Sequence, residues 1–113
     1  MTTFKSVPSI KIIAGREIKT SDLVVTNNSE YTTNGESVVV CRDIPECKVY
    51  LDHNTTDHIT IKAMTKVIIL DNNEDSSIDD MYDEIELSSG ACVELRYIID
   101  KWYIMSSDGL KNS

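Results

Sequence analysis

Apolar residues in this chain fall in short β-branched runs. They stand at residues 10–13, 23–25, 37–41, 48–51, 58–62, 66–70, 84–87, 92–97 and 102–105. Turn-forming residues separate them, among them Asn34-Gly35, Pro45 and Ser88-Ser89-Gly90. No segment carries apolar residues at helical spacing between proper caps, so no helix is predicted. Many short strands at this spacing predict an all-β fold, a β-prism or β-sandwich-like module.

The sharpest inside/outside pattern lies at residues 84–97. Ile85, Leu87, Val93 and Leu95 share one face, and Glu84, Glu86, Glu94 and Arg96 the other. Ser88-Ser89-Gly90 reads as a hairpin loop between two strands. After a turn at residues 98–101, Trp102-Tyr103-Ile104-Met105 is apolar at every step. That predicts a strand covered on both faces, or one that meets another chain, closing on Ser106-Ser107-Asp108-Gly109. Residues 1–30 carry weaker strand signals and Asn27-Asn28-Ser29-Glu30 looks like a linker. The expected organisation is an N-terminal arm or first strands over 1–30 and a compact module over 31–113. No tandem repeat at a solenoid period is visible.

A length of 113 residues suits one domain, and 41% hydrophobic with 27% charged residues suits a globular one. The net charge of −8 argues against nucleic acid and against anionic membrane surfaces as partners. No apolar run has the length of a membrane span. The first residues do not form a signal peptide, so synthesis in the cytosol is expected. Three cysteines leave at least one unpaired. Cys41 and Cys47 can face each other across Arg42-Asp43-Ile44-Pro45-Glu46, and the expectation is free buried thiols rather than a disulfide.

Candidate chemistry is sparse. Asp52-His53 and Asp57-His58 flank a turn, but no activated nucleophile accompanies them, so no catalytic residue is assigned. No His/Cys cluster has ligand spacing, so no metal site and no cofactor are expected. Residues 71–86 hold eight acidic residues and no basic one. Asp71, Asn73 and Asp75 match the start of a calcium loop. Ser76 then stands where the turn glycine is needed and Tyr82 where the bidentate Glu is needed, which predicts a solvated acidic loop. Five Tyr and one Trp suit a core, an interface, or less readily a glycan platform.

From Tyr31 onward the order of features resembles a small trimeric β-module of phage tail fibres and of virion proteins of large DNA viruses. The resemblance is carried by Val38-Val39-Val40, Val49-Tyr50-Leu51, Ile59-Thr60-Ile61-Lys62, Val67-Ile68-Ile69, Ile78-Asp79, Ile85-Glu86-Leu87, Val93-Glu94-Leu95-Arg96-Tyr97 and Trp102-Tyr103-Ile104. It covers residues 31–107. Two departures stand out: Asp80 where the family has Gly, and Ile98-Ile99-Asp100-Lys101 in place of a Gly- and Asn-rich turn. The resemblance implies an intertwined homotrimer without enzymatic activity, a spike, fibre tip or capsid cement on a virion, made in the host cytoplasm. Its partners would be itself, other virion proteins and, on an alternative reading as a receptor- or carbohydrate-binding tip, a host-surface glycan. The expected trimer contact comprises Tyr97, Ile98, Ile99, Trp102, Tyr103, Ile104 and Met105.

Overall fold

The computed structural model describes residues 22–110, so the run predicted at residues 10–13 lies outside it. The described residues form eight strands and no helix, as the pattern predicts. The strands are β1 (Leu23–Thr26), β2 (Glu30–Thr32), β3 (Val38–Cys41), β4 (Glu46–Leu51), β5 (His58–Ala63), β6 (Lys66–Asp71), β7 (Ile85–Ile98) and β8 (Lys101–Leu110).

Their order is β1-β3-β5-β7-β6-β4-β2, with β8 on the other edge of β7. The sheet begins and ends with strands adjacent in sequence, so it bends over into a nearly closed barrel. The logic is that of stacked, bent rungs. β1 and β2 form the first, β3 and β4 the second, β5 and β6 the third. Each half lies parallel on the next: Leu23 beside Val38, Val38 beside Thr60, Glu30 beside Lys48, and Glu46 beside Lys66. The corners are residues 27–29, 42–45 and 64–65. The Thr65 hydroxyl donates to the Ile44 carbonyl and ties the third corner to the second. The stretch read as a linker is thus the first corner, and β1, within residues 1–30, pairs directly with β3.

Strict alternation puts one face of each rung inside. Val24, Val39, Ile61 and Val93 stand side by side in one half, and Val49, Ile69 and Ile85 in the other. All belong to one buried cluster. Burial of such apolar ladders supplies the main driving force, about 25 cal/mol per Å² removed from water.

The hairpin predicted at Ser88-Ser89-Gly90 does not form. Residues 85–98 are one continuous strand. Its first half runs antiparallel to β6 and its second half antiparallel to β5, so β7 follows the bend of the third rung. Gly90, at φ +99°, is the residue that lets it turn. The predicted inward set still holds: Ile85, Leu87, Val93 and Leu95 are all buried. Their odd numbering continues through Ala91, which is how a single strand, and not only a hairpin, keeps its face. Ser106 to Gly109 likewise extend β8 rather than end it.

Loops return the chain from each rung to the next, and here polar side chains go inside. Glu36 is 3% exposed; its carboxylate accepts from the Tyr31 hydroxyl at 2.7 Å and the Asn34 N–H at 2.8 Å. Thr56 Oγ1 accepts from the Gly35 N–H, and Thr33 Oγ1 from the Asp52 N–H. Buried polar atoms are tolerated because they are paired.

Candidate interaction surface

One end of the molecule combines exposed apolar side chains with strained backbone. It is built where β7 turns into β8. Ile98 pairs with Lys101, leaving Ile99 and Asp100 as the turn. Ile99 has φ +62°, and the Asp100 N–H donates to the Ile98 carbonyl at 2.7 Å. That is a γ-turn with a left-handed centre, a rare and strained form. A β-branched residue with positive φ is a conformational outlier. Yet Ile99 is 93% exposed, so no packing within the described chain offsets the strain.

A second turn sits beside it. Asp79 and Asp80, at φ +57° and +65°, carry the chain round between Ile78 and Met81, whose N–H donates to the Ile78 carbonyl at 3.1 Å. Asp80 therefore occupies a conformation that glycine adopts freely, at the very position where the resembling family has Gly. Three bonds hold this turn on β8. The Asp79 N–H donates to the Trp102 carbonyl, the Ile104 N–H to Asp79 Oδ1, and Lys101 Nζ to Asp80 Oδ1 at 2.7 Å. The turn covers part of the outer edge of β8 and presents Met81, 68% exposed, and Tyr82, 39% exposed. Around these apolar groups Asp80, Asp83, Glu84 and Asp100 are exposed, and Lys101 is engaged by Asp80. Acidic side chains dominate the rim.

The seven residues expected to meet a neighbouring chain divide. Ile98, Ile99 and Met105 are exposed, at 38%, 93% and 50%. Met105 is the extra residue of a β-bulge, since Glu94 pairs with Ser106 and Leu95 with Ile104. Tyr97, Tyr103 and Ile104 are half-buried; Tyr97 is stacked on His53 at 4.4 Å and meets Trp102 edge-on at 5.5 Å. Trp102 is corrected: at 0% exposure it has no surface to offer. The cover that its apolar surroundings demanded comes from this chain's own turn at residues 78–82. The sequence reading missed Met81, because an isolated methionine in an acidic loop carries no periodic signal.

The remaining candidates have structural partners. His58 Nε2 lies 2.6 Å from Glu94 Oε2, whose other oxygen accepts from Ser106 Oγ. The bonds from His58 and then Ser106 hold the Glu94 carboxyl below its ordinary range. Asp71 and Asn73 use their side-chain oxygens to accept backbone N–H groups two residues on, as turn residues do. Among the described residues no group of three or more His, Cys, Asp or Glu is placed to hold a metal ion.

The chain matches no protein-family model, no curated protein and no solved structure.

Proposed function

We propose that this chain is a non-enzymatic structural module of a virion surface, a spike, fibre tip or capsid cement, that works as a homotrimer. The observation that carries the assembly reading is Ile99. A β-branched side chain held in the left-handed region and almost fully exposed lowers the stability of the free chain. Contact with a neighbour gives such a residue a use that solvent does not. Ile98, Met81 and Met105 add exposed apolar surface. The resemblance of the terminal Val-x-Leu-x-Tyr and Trp-Tyr-Ile strands supplies the virion and the number three. A glycan-binding reading would rest on Tyr82, since Trp102 is enclosed.

Sedimentation equilibrium tests the proposal on the wild-type protein and on an Ile98→Asp, Ile99→Asp variant. A wild-type trimer that the variant weakens is the expected result. A wild type that stays monomeric at tens of micromolar rejects the trimer. A variant as tightly trimeric as wild type removes this end from the contact.

A further inference from the structure

Cys41 closes β3 and Cys47 stands second in β4, so the two flank the corner at residues 42–45 of the second rung. Both lie on the inner face, both are 0% exposed, and neither is in a disulfide. Their thiols are hydrogen-bonded to each other. The Cys47 Sγ also lies 3.9 Å from the Lys48 carbonyl oxygen. In the neighbouring rung Ala63 stands beside Cys41 and Val67 beside Cys47, so small side chains adjoin the pair. Cys92 is separate: it is half-buried on β7, paired in register with Lys62 and Asp108.

We propose that Cys41 and Cys47 are an oxidisable pair that closes into a disulfide across this corner and staples β3 to β4. The two thiols are unequal. The S–H of Cys41, donated to Cys47, lowers the Cys47 thiol, while that bond and burial raise Cys41. Cys47 is therefore the sulfur that ionises and attacks. With hydrogen peroxide as oxidant, the Cys47 thiolate takes one peroxide oxygen, the O–O bond breaks, and the departing hydroxide gains a proton to leave as water. Cys47 is then a sulfenic acid. The Cys41 sulfur attacks the Cys47 sulfur, the S–O bond breaks, and the hydroxide leaves with the Cys41 proton as a second water. Two thiols and one peroxide become one disulfide and two waters. The contact between the thiols favours this closure over further oxidation, and the enclosed bond is shielded from reductants. The inference is independent of the assembly reading.

The test exposes the folded wild-type protein to stoichiometric hydrogen peroxide, then alkylates it in denaturant without reductant. Trypsin cuts after Arg42 and Lys48, so Cys41 and Cys47 fall on separate peptides that a disulfide would join. The expected result is one alkylated thiol, at Cys92, and a Cys41–Cys47 linked pair. The oxidised protein should melt roughly 5–15 °C above the reduced one, as expected for a short loop in a domain of this size. A Cys92→Ser variant should link as wild type does, and Cys47→Ser should not. Three alkylated cysteines after treatment, or links through Cys92, would overturn the proposal, and this wild-type readout stands even where Cys47→Ser fails to fold.

Discussion

Ile99 shows most clearly how a single residue can work against its own fold. At φ +62° it clashes where glycine would not, and at 93% exposure it gains nothing from burial. Ile99→Gly should therefore stabilise the monomer by about 1 kcal/mol, the order of the penalty for an L-residue in the left-handed region. Urea unfolding measures this, and a destabilised variant would show that Ile99 packs in solution. Glu94 predicts a pH dependence. His58 and Ser106 hold its carboxyl below the ordinary 4.5. A depressed carboxyl contributes stability that is present above its unfolded pKa and lost as pH falls through its folded pKa. The melting temperature should thus drop as pH is lowered from 4.5, and less steeply in Glu94→Gln. Parallel acid profiles for the two proteins would remove Glu94 from the account.

At the scale of elements, β7 carries the architecture. It is the one strand that spans both halves of the sheet, pairing with β6, β5 and β8. Gly90 permits its bend at φ +99°, and a Cβ there would meet nothing within 4 Å. Gly90→Ala should therefore cost only the conformational penalty, about 1–2 kcal/mol. Gly109, opposite on β8 at φ +85°, is different: an added Cβ would lie 3.1 Å from the Ala91 Cβ and 3.3 Å from its Cα. Gly109→Ala adds crowding to strain and should be the more damaging change in the same denaturation assay. Equal losses would mean that β8 shifts to relieve the contact. Both glycines sit near the register shift between Leu87 and Cys92, where the two strands bend together.

For the whole molecule, charge sets the terms of assembly. The chain carries −8, and exposed Asp80, Asp83, Glu84 and Asp100 surround the apolar end. Copies that meet there bring like charges together, and salt screens that repulsion over a Debye length of about 10 Å at 0.1 M. Association should strengthen as sodium chloride is raised from about 0.05 to 0.5 M. Association that is unmoved by salt would place the acidic rim away from the contact. The acidic residues also keep the outer edge of β8 from acting as an open template, together with the bulge at Met105 and the covering turn at residues 78–82.

Local pattern determined the strand class and the inner faces. Period-two burial is a property of the pleat, so Ile59, Ile61, Val93 and Leu95 were legible as core before any partner strand was known. It also exposed the turn at Ile98-Ile99 as unusually apolar. Which strands pair was decided only in three dimensions. Alternation is the same in a parallel rung, a bent continuous strand and a hairpin, so nothing in Ser88-Ser89-Gly90 alone separates a corner from a loop. The rungs are unequal in length and share no repeated motif, so their parallel stacking left no period to read. The enclosure of Trp102 has the same origin: a turn more than twenty residues upstream covers it through backbone hydrogen bonds, which any sequence can supply.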